Sequence, residues 1–482
     1  MKIMEKPVRL ERIYCALGAI LLTTIAVIVL LAQRAGGVWS GCIVGTAGLG
    51  LLAAALTRWT PEPRAVRWGS AAALSVLLAV QIGVGLSMRY VPAWDLDAIY
   101  GGAIEWVETG TFSSYTEYFQ YFPNNLGGLL FYAALFKPVQ LLGGTDYFAA
   151  AVVANSVLIT GSAALTVWIA SKWYGASGAL WALAAIGLYA PVYFMGAVFY
   201  TDTLSMICPV AVIALNIRLR ASHGVRRYAW ALAMGIVLAA GMRIKFTVLI
   251  VFVAAAIDAA VHFRRRTLLP LATALGIAWG AYAAIGRVFY PAYLDPGTAA
   301  QLNTPIIHWV MMGLRGSGGY NPEDYAFTRS FADPAVRDAA IWAEIRHRVR
   351  TLGGCGMAKL WGSKWAVCFG DGTFVLDSFL DDTPLTRSWA HEFVMRDGRF
   401  FPLYNRIAQA VWDALLVLSG GAALRGAVRK RGAFPAAPAI LAIVGIALFA
   451  LMWESSSRLV LNFWPVTVLA ASGALNRVQC NE

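Results

Sequence analysis

The chain has 482 residues, of which 59% are hydrophobic and only 13% are charged. Soluble globular proteins carry about 25% charged residues, so this composition excludes a soluble globular protein and indicates a polytopic membrane protein. The formal net charge of +13 does not indicate nucleic-acid binding, because the arginines cluster in short loops between apolar segments.

Long apolar segments follow one another along most of the chain. A helix needs about 20 apolar residues to cross a bilayer, and the segments are continuous rather than alternating, which excludes a β-barrel. The first is too long for the apolar core of a cleavable signal peptide, so we expect it to remain as a span. The predicted spans lie near residues 13–32, 38–57, 68–89, 147–171, 175–199, 202–218, 229–243, 246–263, 268–290, 408–424, 436–453 and 458–474.

Basic residues between these spans predict the orientation. They concentrate at 58–67, 218–227, 264–266 and 425–431, and such loops face the cytoplasm. With the N-terminus inside, twelve spans place all four loops and both chain termini in the cytoplasm. We therefore expect a multi-pass membrane protein with residues 91–125 and 291–407 on the outer face of the membrane.

A further apolar run, 126–142, does not fit this count if it crosses the membrane. It is short, and Lys137 and Pro138 interrupt it. We expect it to be re-entrant or oblique, or else that a neighbouring run is broken in two, for example at Pro191. Re-entrant backbone is tolerated only where it lines a cavity or is buried in protein, which predicts a site nearby.

The loops divide the chain into three parts: a transmembrane module, 1–290, with an acidic outer loop at 91–125; a large outer loop, 291–407; and the last membrane helices, 408–482. The pattern of residues 338–351 predicts an amphipathic helix at the interface. Loops of this length are usually functional. Cys355 and Cys368 share the large loop, where a disulfide is one option and two free thiols the other.

Acidic and amide side chains follow the third predicted span. Asp95 and Asp97 are either helix caps or functional groups, such as a general base for an acceptor hydroxyl or ligands for a divalent cation. Asn124 and Asn125 either cap a helix or bind sugar hydroxyls. Asp202 lies at an outward span end, where capping competes with a role in the site.

Cationic residues occur at outward helix ends, against the positive-inside trend. Arg243 and Lys245 either snorkel to lipid headgroups or bind a phosphate. Glu454 and Arg458, four residues apart, form either a helical ion pair or part of a phosphate site. His308 in the large loop is either structural or a site residue, and the same holds for Lys364 and Asp371. We find no Walker loop, nucleophile elbow or metal-spaced His/Cys cluster, so we predict no ATP-driven transport by this chain alone.

Together these motifs resemble those of the GT-C superfamily of membrane glycosyltransferases, which includes protein O-mannosyltransferases and the lipid A aminoarabinose transferase. The resemblance rests on the acidic first loop (Asp95, Asp97), a Pro-led segment from Pro123, the outward Asp202, and E-x-x-x-R before N-F-W-P at the last span. Phe122 stands where relatives carry a lysine before the proline. The resemblance implies an all-α bundle of about 12–13 transmembrane helices with two outward-facing functional loops.

The resemblance also implies an activity, namely inverting transfer of a sugar from a polyprenyl-phosphate donor to a hydroxyl of a glycan, lipid or protein acceptor. A cofactor is not required, although a divalent cation at Asp95 and Asp97 is possible. The run 126–142 would hold the prenyl tail. In this assignment Asp95 or Asp97 is the base, Arg243, Lys245 and Arg458 bind the donor phosphate, and Asn124, Asn125, Asp202, His308 and Glu454 contact the substrates.

Two other functions compete with this one. A surface-polysaccharide polymerase or ligase would rely on Arg315, His308 and Arg346 in the large loop rather than on the two aspartates. A transporter or flippase of a lipid-linked sugar is disfavoured by the absence of an internal repeat and by the long outer loop.

Overall fold

The computed structural model describes residues 2–33, 38–59, 61–262, 265–380, 384–429 and 432–475. Over these residues the chain is helical, without strands, and carries one isolated β-bridge between Tyr90 and Pro384. The predicted basic positions Arg264, Lys430 and Arg431 lie outside the described residues.

The helices are numbered here in chain order. They are α1 Lys2–Ala32, α2 Val38–Arg58, α3 Pro63–Ser87, α4 Trp94–Thr109, α5 Thr116–Tyr121, α6 Leu126–Leu141, α7 Tyr147–Leu188, α8 Thr201–Leu204, α9 Ile207–Ala221, α10 Gly224–Ile244 and α11 Val248–His262. They continue with α12 Arg265–Val288, α13 Tyr290–Tyr293, α14 Pro296–Leu302, α15 Ile306–Met312, α16 Pro322–Arg329, α17 Pro334–Phe369, α18 His391–Val394, α19 Phe401–Val428, α20 Ala437–Met452, α21 Arg458–Leu461 and α22 Trp464–Ala471.

The predicted all-α polytopic membrane fold is confirmed. Within the described residues, eight helical segments are long and apolar enough to cross a membrane, and α11, α20 and the α22 region are shorter apolar helices. The 42-residue α7 is two helices that meet at Gly175, where the backbone is non-helical with φ 68°. Each of the twelve predicted spans thus overlaps a helix, half of α7, or two successive helices, namely α8 with α9 and α21 with α22. The predicted span 175–199 extends beyond the end of α7 into 3-10 turns.

The extra apolar run forms α6, a helix of 16 residues. Its length of about 24 Å is less than the roughly 30 Å of a bilayer core. Its first turn lies against the end of α10, since a Cβ on Gly127 would lie 1.9 Å from the Arg243 carbonyl oxygen. Near its other end the Gln140 amide donates to the carbonyl of Val107 in α4. After α7 the chain is not α-helical, and two 3-10 turns around Pro191 separate α7 from α8.

Contacts between distant helices define one end of the bundle, which we call the basic end. The Arg12 guanidinium donates to the Ala427 carbonyl at 2.8 Å, and the Phe434 amide donates to Glu11. The Ser177 hydroxyl donates to the carbonyl of Leu56, two residues before Arg58. The basic segments around residues 12 and 427 therefore lie together at this end, as the charge pattern predicts.

The two N-terminal spans pack mainly against α19, a helix from the last fifth of the chain. Trp412 of α19, Trp181 of α7 and Trp464 of α22 are completely buried at the centre of the bundle. The core is therefore completed by helices from both ends of the sequence.

The large segment 291–407, for which the sequence predicts a position on the outer face, is itself folded; we call it the outer segment. Asp324 binds the guanidinium groups of Arg348 and Arg315, and Met311, Ile341 and Ile345 form a small apolar core. The predicted amphipathic helix lies in the first part of α17, which is non-helical at Gly353. Cys355 is exposed and Cys368 is buried, and both thiols are free.

Candidate functional site

Asp95 is held by tyrosines from two other segments. The Tyr118 hydroxyl donates to Asp95 Oδ1 at 2.7 Å, and the Tyr200 hydroxyl donates to Asp95 Oδ2 at 2.9 Å. Burial and the nearby Asp95 carboxylate raise the pKa of Tyr118 far above its usual value, so this tyrosine stays protonated as a donor. Both carboxylate oxygens of Asp95 are thereby fixed in orientation.

Asp97 faces another part of the structure. Its Oδ1 accepts a hydrogen bond of 3.2 Å from the Tyr115 hydroxyl, and burial raises the pKa of this carboxyl although the bond opposes the shift. Residues two apart on a helix do not share a face. The two carboxylates are therefore directed to different tyrosines and are not arranged as one shared cation site.

Neither aspartate caps α4. The residue at the N-cap position of α4 is Ala93, whose side chain cannot cap, and the N-cap residues of α6 and α8, Asn125 and Tyr200, make no capping hydrogen bond with their side chains. The capping explanations for Asp95, Asp97, Asn125 and Asp202 are therefore not observed.

The residue before Asp95 has a strained backbone. Trp94 adopts φ 52°, a left-handed value that is costly for a large side chain, and its ring is 67% exposed. Strain of this kind persists where the surrounding structure imposes it, often at functional sites. A small recess beside it is lined by Val91, Ala93, Trp94, Leu96, Ser378 and Phe379.

The two asparagines extend the Asp95 network. The side-chain amide nitrogen of Asn125 donates to the Tyr118 hydroxyl at 2.5 Å, and the side-chain amide nitrogen of Asn124 donates to the side-chain oxygen of Asn125 at 3.0 Å. Both side chains thus support Tyr118, and through it Asp95.

A second cluster, which we call the Lys245 cluster, joins Lys245, Asp202 and Arg458. Lys245 forms an ion pair with Asp202 Oδ1 and donates to the Arg458 carbonyl at 3.0 Å. The Arg458 Nε lies 3.9 Å from Asp202 Oδ2, and its guanidinium lies over the rings of Tyr200 and Phe379 at 5.1 and 5.3 Å. Since Tyr200 also donates to Asp95, the carboxylate and the cations share one tyrosine.

Arg243 is held differently from Lys245 and Arg458. Its guanidinium lies 3.7 Å from the Tyr282 ring centre, donates to the Tyr282 carbonyl, and donates to the Tyr290 hydroxyl at 2.6 Å. Tyr290 in turn donates to the carbonyl of Pro123. Arg243 therefore ties α10 and α12 to the start of α6.

Glu454 does not form the predicted helical ion pair. Residues 453–457 are not helical, and α21 begins only at Arg458. Burial raises the pKa of Glu454 to about 7, partly opposed by the charge of Arg458, while the Asp95 charge adds to the increase. Lys364 lies behind this segment and is fully buried, and its ammonium donates to the carbonyls of Gly313 and Trp453. Burial lowers the pKa of Lys364 to about 8.

His308 is buried in the outer segment. Its Nδ1 lies 2.6 Å from the Thr328 hydroxyl, and burial lowers the pKa of the imidazole to about 4, so the ring is neutral. Its ring packs edge-on against Trp309 and Tyr325. His308 thus supports Tyr325, which stacks on Phe122 near the Asp95 network.

Sequence reasoning missed the tyrosines of this site. Tyr118 and Tyr200 are separated from Asp95 by 23 and 105 residues, so no spacing rule connects them. The tyrosine-rich stretch 115–121 is the one signal that could have indicated Tyr118.

A different group of side chains has the donor atoms of a metal site. Within the described residues, the ligand atoms of Glu11, Asp258 and His262 lie within 4.8 Å of one another, at the basic end. Arg220 lies 2.7 Å from Asp258 Oδ2, and this positive charge opposes a bound cation. Ion pairing accounts for this cluster without a metal.

Comparison with known proteins places this architecture in a family. The sequence model for a family described as "conserved hypothetical integral membrane protein" matches residues 62–478. The chain belongs to this family. The match includes Asp95, Asp202, Lys245, Glu454 and Arg458 and begins after the first two spans. No curated protein and no solved structure matches the chain.

Proposed function

We propose that the chain is a GT-C-type glycosyltransferase that moves a sugar, with inversion, from a polyprenyl-phosphate donor to a hydroxyl acceptor at the outer face of a bacterial inner membrane. The observation that carries this proposal is that Tyr200 contacts both the carboxylate of Asp95 and the guanidinium of Arg458, a cation of the Lys245 cluster.

The position of the site in the bundle supports an outward orientation. Lys245 and Arg458 lie at helix ends opposite the basic end, and basic loops face the cytoplasm. A polyprenyl-phosphate donor has its phosphate at the membrane surface, and cations at helix ends are suited to bind it there. The apolar face of α6, which begins beside Arg243, suits a prenyl chain.

The proposed chemistry follows from the charges. A carboxylate at Asp95 or Asp97 takes the proton of the acceptor hydroxyl, and the leaving phosphate gains negative charge that a cation stabilises. Arg458 is the most accessible cation of the cluster, with 35% of its side chain exposed, so it is placed to meet the phosphate. No step in this scheme requires a metal.

The polymerase or ligase alternative gains no support from the large loop. Arg315 is engaged with Asp324 and Glu323, and His308 is buried and neutral. A flippase would not need a carboxylate oriented by two tyrosines.

The test is transfer activity in proteoliposomes with a synthetic polyprenyl-phosphate hexose and total envelope glycans and lipids as acceptors. Release of polyprenyl phosphate is measured for the wild type, Asp95→Asn and Asp97→Asn, with the exposed Glu117→Gln as the control. We expect wild-type and control activity and a loss of about 10²–10⁴-fold in at least one aspartate variant.

Other results would contradict the proposal. Full activity in both aspartate variants would remove the carboxylates from the mechanism. Turnover of pyrophosphate-linked oligosaccharides alone would favour the ligase. Movement of intact donor across the bilayer without release of polyprenyl phosphate would favour the flippase.

A further inference from the structure

Glu454 lies on a turn that is fixed on both sides. The Lys364 ammonium donates to the carbonyl of Trp453 at 2.6 Å, and the amide of Ser455 donates to the carbonyl of Gly318 at 2.7 Å. Two residues further on, the Ser457 hydroxyl donates to Asp371 at 2.9 Å. The outer segment therefore holds the backbone before and after Glu454.

The Glu454 carboxylate itself is left without a close partner. Within the described part of the chain it makes no hydrogen bond and no ion pair, because Arg458 is directed to Asp202 instead. The charged groups that act on it are Arg458, Asp95 and Lys364, which come from three different elements. A half-buried carboxylate on a rigid turn, facing these groups and free of protein donors, has its oxygens available to a substrate.

Asp95 is in the opposite situation. Both of its oxygens accept hydrogen bonds from tyrosines, which leaves fewer lone pairs for a substrate hydroxyl than the carboxylate of Glu454 has. General bases work best when their pKa lies near the working pH, and burial raises the pKa of Glu454 to about 7. Glu454 therefore combines a carboxylate without a protein donor with a pKa suited to a general base.

We propose that Glu454 is the proton acceptor of the transfer reaction and that Asp95 orients the acceptor hydroxyl beside it. This inference rests on the proposed glycosyltransferase function and changes the assignment of the base. The acceptor oxygen forms a bond to the anomeric carbon while the bond from that carbon to the phosphate oxygen breaks. The electron pair of the broken bond leaves with the phosphate near Arg458, and the hydroxyl proton passes to a carboxylate oxygen of Glu454.

The experiment measures the pH profile of kcat/KM for release of polyprenyl phosphate between pH 5.5 and 9. We expect the wild-type rate to rise with pH through a midpoint near 7, because the base is active only when deprotonated. Glu454→Gln keeps the size of the side chain and should lower kcat by about 10²–10⁴-fold and remove this rise. Glu454→Asp should retain a midpoint with lower kcat, and Asp95→Asn should retain a midpoint that lies below that of the wild type, because the Asp95 charge contributes to the raised pKa of Glu454.

Binding of polyprenyl phosphate without a sugar serves as the companion measurement. We expect its Kd to change less than about threefold in Glu454→Gln, which would also establish that the variant is folded. A weaker Kd or higher KM with unchanged kcat and an unchanged midpoint would mean that Glu454 only orients Arg458, and would refute its role as base.

The two proposals fail in different ways. A wild type that releases no polyprenyl phosphate refutes the transferase and this assignment with it. An active wild type whose rate and pH profile survive in Glu454→Gln refutes only the assignment of Glu454.

Discussion

Variants of the Lys245–Asp202 ion pair can distinguish its contribution to protein stability from its contribution to activity. The side chains of Lys245 and Asp202 are only 15% and 4% exposed, so Lys245→Met leaves a buried carboxylate without its main partner. Breaking a buried ion pair on one side costs about 3–5 kcal/mol. Arg458 stays 3.9 Å from Asp202 and compensates in part, so we expect a loss near the lower limit, about 3 kcal/mol.

The double variant Lys245→Met with Asp202→Asn removes both charges. Since neutral replacement of a buried pair is often nearly neutral in energy, we expect it to cost about 1 kcal/mol, less than the single variant. The free energy of unfolding is measured by reversible unfolding in mixed SDS micelles, with Lys137→Met, an exposed lysine of α6, as the control expected within about 0.5 kcal/mol of wild type. Donor turnover is measured on the same proteins and should be lost in both cluster variants.

Two results would refute this reasoning. Equal destabilisation in the single and double variants would mean that the charges are not coupled. Recovery of activity together with stability in the double variant would mean that Lys245 and Asp202 have only a structural role.

The other predictions concern helix packing and orientation. Gly127→Ala should destabilise the protein by about 1–3 kcal/mol, because the added Cβ would meet the backbone of α10. Gly276→Ala is the control, because open space surrounds Gly276 and this variant should lose little stability. The free energies of unfolding in mixed micelles are compared, and equal losses would contradict the close approach of α6 and α10. For orientation, Glu117→Cys should react with an impermeant maleimide in intact cells, and His223→Cys only after permeabilisation, both in a Cys355→Ser background; the reverse pattern would place the site in the cytoplasm.

The helices could be predicted from the sequence because a backbone in lipid has to satisfy its hydrogen bonds internally, which turns each long apolar run into a helix. The side-chain geometry of the site could not be predicted from the sequence. The i, i+4 spacing of Glu454 and Arg458 predicts an ion pair only in a helix, and the chain there turns instead, because Lys364 and Gly318 hold it from the outer segment. The tyrosines on Asp95 depend on contacts between distant segments, for which a single sequence has no periodic signal.

The packing of α1 and α2 against α19 has a consequence for biosynthesis. About 370 residues separate the end of α2 from the end of α19. At translation rates of about 5–20 residues per second, the first two helices wait roughly 20–70 s in the membrane before their partner emerges. During that interval the side chains that later contact α19 face lipid, the insertion machinery or another protein. A truncated chain that ends before Phe401 would never leave this state, so we expect such products to be degraded even though most of the site residues have been made.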